Sequence, residues 1–202
     1  MDTITAITER RAVKHYDPDF EIPAEDETKL LELARLAPTS FNIQNWRFVN
    51  VKDKDLREQI KEAAWGQAHV ADASLLIIMC ADLKAYEKEP SRYWSNTPQE
   101  VQDILVPMIV PFYDGNDALQ HGEAHRSCGL AGQTLMLAAK AMGYDSCPMV
   151  GFDQKKVAEL IRLPENHVIS FMIAIGKEIK PAWPRPNQIA SSEAIVVDRF
   201  EN

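Results

Sequence analysis

The sequence predicts an α+β protein built on a modest sheet, and three observations carry that prediction. Helical patterns arrive first and in succession, without the regular strand–helix alternation of a doubly wound fold. The run "SLLIIMCA" (74–81) is continuously apolar and of strand length, which suits a central strand covered on both faces. A long helical pattern ending at Met142 is apolar nearly all round, as in a helix buried in a core or an oligomer interface.

Taken in order, "DTITAITERRA" reads as a short helix capped by Asp2 or Thr3, with Ile4 and Ile7 on one face. The second helix follows Ile22 and Pro23. Acidic residues fill its first turn, Leu30, Leu33, Ala34 and Ala37 repeat at helical spacing, and Pro38 stops it. A polar loop, "PTSFNIQNW", leads into a strand "RFVNV" (47–51). Leu56, Ile60, Ala63 and Ala64 then mark a third helix after Asp53 or Asp55.

Beyond the apolar strand, residues 83–120 carry Pro90, Pro98, Pro107 and Pro111 and read as an excursion, partly helical and mobile. The long helix runs from about Glu123 to Met142 and is capped by Gly143, with Gly129 and Gly132 permitting close backbone approach. A loop "YDSCPMVGF", a helix from about Asp153 and a strand "HVISFMIAIG" complete the core. The tail from Lys177 contains Pro181, Pro184 and Pro186, so it is expected to be extended, and it ends in the strand-like "AIVV". One domain spanning 1–202 is expected, with an arm at 177–202.

The chain has 30 acidic and 22 basic residues, a net charge of −8, which argues against nucleic acid as a partner. No apolar run approaches the roughly 18 residues of a membrane span, and the first residues lack the pattern of a secretory signal. Three cysteines without a CxxC spacing read as reduced thiols, and a cytoplasmic location is expected. Dinucleotide, phosphate-loop and GxSxG fingerprints are absent. "HGEAH" (121–125) sets two histidines four apart without completing a zinc motif, so no metal site is expected.

Against this acidic background, "ERRAVKHYD" gathers Arg10, Arg11, Lys14 and His15 within six positions. Such a cluster can hold a phosphate through charge-assisted hydrogen bonds, each worth about 1.5–3 kcal/mol. Alone it would be a solvated basic face. Two loops downstream change its meaning. "APTSFNIQNWRF" supplies small hydroxyls and amides suited to a heterocycle edge, and "CPMVGF" puts a glycine where backbone can approach a planar ligand.

With "WGQAHVADAS", "GQTLMLAAKAMG" and "VISFMIAIG", these segments resemble, in order and spacing, the nitroreductase family of flavin mononucleotide (FMN) enzymes. The resemblance implies a nitroreductase-like fold: a central, mostly antiparallel sheet flanked by helices, its C-terminal arm exchanged in a homodimer. It implies that Arg10 and Arg11 grip the FMN phosphate, with Ala12 beside them, and that Lys14 lies near the pyrimidine end of the ring. Pro38, Thr39, Ser40, Asn42 and Gln44 would reach the flavin from the partner subunit. Gln67 and His69 would touch the ring or ribityl chain, the stretch Pro148, Met149, Val150 and Gly151 would face the reactive edge, and Arg185 would return to the phosphate. Ala12 departs from the family's serine, Gly66 from its asparagine and Asn45 from its proline.

The implied activity is transfer of hydride from NAD(P)H, through tightly bound FMN, to a nitroaromatic, quinone or other conjugated acceptor by a ping-pong scheme. No catalytic side chain is assigned. The acceptor pocket is expected among Phe41, Phe112 and Tyr113 for their aromatic character. The alternatives on the same fold are a dehydrogenase, dehalogenase or flavin-fragmenting oxygenase; a flavin-binding module without catalysis is a further one.

Overall fold

A computed structural model describes residues 1–200 of the chain. Its centre is β2 (Leu75–Asp82), every residue of which is buried. Period-two alternation splits this strand between two cores. Leu75, Ile77, Met79 and Ala81 face one cluster, and Leu76, Ile78 and Cys80 face the other. Strands β1 (Trp46–Asn50), β3 (Asp145–Met149) and β4 (His167–Gly176) complete a four-stranded sheet in the order β1-β2-β4-β3, with all three pairings antiparallel. The segment 145–149, expected as a loop, is therefore a strand: its backbone pairs with β4 from Asp145↔Gly176 to Met149↔Met172.

The β2–β4 pairing slips between Met79 and Cys80, where Phe171 and Ile169 are the successive partners and Ser170 is passed over. That bulge reverses the facing of what precedes it. Phe171 and Ile173 point to the first core, whereas Ile169 points with Met172 to the second.

Helices α2 (Ala24–Ala34) and α6 (Asp117–Ala141) cover the first face through Leu30, Ala34, Cys128, Ala131, Leu135 and Ala139. Helices α3 (Lys54–Ala63) and α7 (Gln154–Leu160) cover the second through Ile60 and Val157. Asp53 and Asp153 cap them, accepting from the N–H groups of Leu56 and Lys156. A Cβ on Gly132 would lie 2.4 Å from Phe171 Cζ, so the close approach expected of this glycine is real; one on Gly129 meets nothing within 4 Å. Helix α6 ends where Gly143 takes φ +88° and Tyr144 N–H reaches back to the Ala139 carbonyl.

The excursion is more helical than its prolines suggested. Short 3₁₀ turns at Ala85–Glu87 and Pro90–Tyr93 lead to α5 (Gln99–Tyr113), a 15-residue helix that continues through Pro107 and Pro111. Each proline removes one backbone bond, at about 3 kcal/mol in a helix interior. Burial of Ile109 and Tyr113 against Ile43, Tyr86 and Tyr93 offsets that cost. Helix α6 begins six residues before Glu123, so "HGEAH" lies inside it instead of at its start.

Helix α1 (Thr3–Glu9), capped by Asp2, buries Ala6 and leaves Ile4 and Ile7 exposed. The chain then runs beside β3, with Val13 N–H bonded to the Ser146 carbonyl at 3.1 Å. The tail starts as the neighbour of this segment through Asp17 N–H to Lys177 O and Ile179 N–H to His15 O. Farther on, "AIVV" pairs with no strand. A helical turn, α8 (Ser191–Ala194), occupies its first residue, and Ile195, Val196 and Val197 are exposed. No helix among the described residues is long and apolar enough to cross a membrane.

Candidate functional site

The segment beside β3 and the tail enclose a cleft of about 490 Å³, lined by Arg10, Arg11, Ala12, Lys14, His15 and residues 180–186. Three guanidinium groups meet at its rim, and they are not equivalent. Arg11 Nη1 donates to the carbonyls of Thr8 and Arg10 at 2.8 and 2.9 Å, and Arg185 Nη2 donates to those of Ile7, Thr8 and Arg10 at 3.1–3.2 Å. Both therefore sit on the negative end of α1. Arg10 Nη1 is buried without a hydrogen-bond partner. Burial lowers the Arg10 pKa, and the neighbouring charges of Arg185 and Arg11 lower it further. A half-buried cation facing other cations, with one buried donor unmet, calls for an anion.

Cys147 on β3 and His69 do not line this cleft but lie close enough to its cations to feel their charge. Cys147 is buried, which raises its thiol pKa, while Lys14 and Arg10 pull it the other way. His69, the first residue of α4 (His69–Asp72), is 3% exposed, and its Nε2 has no partner. Burial and then Lys14 depress its pKa, so its ring is held neutral, with Asp72 opposing and His15 adding. Gln67 Nε2 donates to the Gly151 carbonyl at 2.8 Å and to that of Ala64 at 3.0 Å. Its amide nitrogen is thus committed to fixing the turn at 150–151, where Val150 is exposed. Gly66 has φ +74°. Asparagine tolerates the same left-handed region, so the exchange noted from sequence leaves the turn intact.

The loop 38–44 lies elsewhere. It lines two clefts of about 310 and 440 Å³ that share Pro38, Thr39 and Ser40, and neither contains a residue of the basic cleft. Phe41, Asn42 and Gln44 all have positive φ, at 50°, 55° and 42°. Such conformations cost non-glycine residues about 1–2 kcal/mol each, so external bonds must hold the loop. Asn42 Nδ2 donates to the Tyr93 carbonyl at 2.8 Å, and Trp94 Nε1 donates to that of Phe41 at 3.1 Å. Gln44 N–H donates to Thr39 Oγ1 at 3.0 Å, and Ser40 N–H donates to Glu123 Oε1 at 3.1 Å.

Phe41, Phe112 and Tyr113 do come together, with ring centroids 5.0–6.2 Å apart. Phe112 is exposed at the mouth of the smaller cleft, and Tyr113 is buried behind it. The sequence-predicted residues accordingly fall into two groups: Arg10, Arg11, Ala12, Lys14, Gln67, His69, the 148–151 stretch and Arg185 on one side, and the 38–44 loop with its aromatics on the other. Sequence reading passed over three participants. Trp183 lines the basic cleft from within the proline-rich tail. Exposed Trp65 packs 3.0 Å from where a Gly151 Cβ would stand. Glu123 is a buried carboxylate on an apolar helix, and the flanking histidines drew attention from it.

The chain is similar to known proteins over most of its length. The model of the nitroreductase family covers residues 7–177. Protein DrgA of Synechocystis sp. is 57% identical over 182 residues, 90% of this chain and 87% of DrgA. The oxygen-insensitive NADPH nitroreductase of Helicobacter pylori is 31% identical, covering 87% of each chain. Among solved structures, a nitroreductase-type protein of Exiguobacterium sibiricum in complex with FMN superposes with a TM-score of 0.89 at 27% identity, over 98% of this chain and 97% of that one.

Proposed function

The chain belongs to the nitroreductase family, and from that premise we propose that it is an FMN-dependent oxidoreductase working as a homodimer. The observation that carries the reading is the unpartnered, buried Arg10 Nη1 at the head of a cation-lined cleft. Its chemistry calls for an anion, and the phosphate of FMN is such a group. FMN, when bound, would take hydride from a reduced nicotinamide nucleotide and pass it to a nitroaromatic, quinone or similar acceptor.

The residues divide the remaining work. Arg10 binds the phosphate, and Arg11 and Arg185 keep the local potential positive while fixing the end of α1. Lys14 supplies positive charge at the pyrimidine end of the ring, where negative charge builds on reduction. Gln67 holds the turn that presents Val150 and Gly151, and His69 contributes a neutral imidazole at the same wall. The 38–44 loop belongs to the other group, so the site is completed by that loop from the partner subunit. Phe41, Phe112 and Tyr113 then wall the space left for the acceptor and exclude water from it. Exposed apolar residues on α1, α5 and the tail suit a second copy of the chain.

The test is spectroscopic. The purified protein, supplied with FMN and freed of excess, should carry the visible absorption of a bound flavin. Adding NADH or NADPH without oxygen should bleach it, and a nitroaromatic or quinone should restore it. A protein that stays colourless after exposure to FMN would overturn the reading.

A further inference from the structure

We propose that Glu123 is a positioning residue that sets the flavin-facing loop 38–44 from behind, an inference that rests on the functional reading above. Glu123 is 4% exposed in the second turn of α6. A buried carboxylate is costly unless its oxygens are satisfied. Here Oε1 accepts from Ser40 N–H at 3.1 Å and from Ser127 Oγ at 2.9 Å, while Oε2 pairs with Arg126. The two oxygens thus face different partners. One is turned to the loop and the other to a cation at the surface.

The loop needs such a hold. Three of its residues occupy left-handed backbone without being glycine, and strain of this kind persists only where the surroundings over-determine it. Of the bonds that restrain it, two are charge-assisted: Arg47 Nη1 donates to the Gln44 carbonyl at 2.9 Å at the end of the loop, and the Ser40 bond holds its start from the long helix packed on the central sheet. Ser40 also lines both loop clefts, and Glu123 lines the one that contains Phe112. A shift of Ser40 would therefore move the flavin contact and the acceptor wall together.

The experiment measures FMN affinity by fluorescence quenching, the visible circular dichroism of the bound flavin, and KM and kcat for one quinone acceptor. Glu123→Ala should weaken FMN by about tenfold or more, alter the flavin dichroism and raise the acceptor KM more than it lowers kcat. Glu123→Gln keeps an acceptor oxygen toward Ser40 and Ser127, and should restore the dichroism and bring affinity within about threefold of wild type. Arg126→Ala frees Oε2 but leaves the Ser40 bond; because Arg126 also lines the Phe112 cleft, it is read on FMN affinity only, which should stay within about threefold of wild type.

Wild-type affinity in Glu123→Ala overturns the inference, as does a Gln variant no better than Ala, or a loss in Arg126→Ala equal to that in Glu123→Ala. If the Ala variant gives no folded dimer, Glu123→Asp replaces it: the charge stays but the reach shortens, so weakened FMN is expected and unchanged affinity overturns. Wild-type protein that takes up no FMN overturns the functional reading and this inference with it. Uptake by wild type with no change in Glu123→Ala overturns the inference alone.

Discussion

The basic cleft beside β3 and the loop corner at 38–44 are built on opposite plans. In the first, a buried guanidinium nitrogen has no partner, and the nearest charges repel it. In the second, a strained backbone is tied at five points, and the buried carboxylate of Glu123 behind it is fully engaged. One region is chemically incomplete and the other is finished in advance. The difference separates two tasks. An unmet charge gives binding energy when an anion arrives, whereas a preorganised wall gives orientation without further ordering cost.

The largest expected effect tests the first plan. Arg10→Ala should weaken FMN by about 1.5–3 kcal/mol, the worth of a hydrogen bond to a charged group, or roughly tenfold to a hundredfold. Without FMN its unfolding free energy should stay within about 0.5 kcal/mol of wild type, because the removed group satisfies nothing in the protein. Equilibrium dialysis and urea unfolding give the two numbers. A variant that binds FMN normally would make the cleft an ordinary basic surface. One that unfolds more easily when free of FMN would show that Arg10 is structural, and the contrast would break.

A smaller effect with the opposite signature is expected at the corner. Thr39→Val removes the hydroxyl that accepts from Gln44 N–H. Stability without FMN should fall by about 1 kcal/mol, the net value of one hydrogen bond. FMN affinity should fall by less than about tenfold, since the phosphate grip remains. Urea unfolding of the protein alone is the decisive measurement. Unchanged stability would mean that the left-handed residues hold themselves, and that the corner is not preorganised by its bonds.

Much of this was legible in the sequence where the signal is local. Asp53 and Asp153 announce their helices, and the apolar run at 74–81 announces the central strand, because capping and period-two burial are short-range effects. The basic cluster was legible as composition, but the ranking within it was not. That Arg11 and Arg185 spend their donors on the end of α1, leaving Arg10, depends on a tail 175 residues away in sequence. Asp145 to Met149 read as a loop because a proline and polar residues obscure a strand whose pairing with β4 is non-local. Likewise α5 survives two prolines through packing on Ile43, Tyr86 and Tyr93, which no helical propensity records. Glu123 was invisible as a site residue because its partner Ser40 lies 83 positions away.

The smallest expected effect sharpens the contrast through pH. His69 sits in the incomplete region, where burial first, then Lys14 and with it His15, lower its pKa from the ordinary 6.5, against an opposing pull from Asp72. The unfolded chain therefore binds a proton below about pH 6.5 that the folded chain resists. Stability is full above that value, declines as pH falls through the interval below it, and levels off beneath the folded pKa. His167 adds a decline of the same sign, since burial outweighs the pull of Asp82. Thermal unfolding between about pH 5 and 8 should show this slope, and His69→Gln should leave only the part due to His167. FMN provides the discriminating arm. Lys14, the cation that lowers the His69 pKa after burial, would face the pyrimidine end of the ring, where negative charge builds on reduction, so the protein carrying reduced FMN should show a shallower decline than the free protein. Equal slopes with and without reduced FMN would place the ring away from Lys14 and His69, and that assignment would fall.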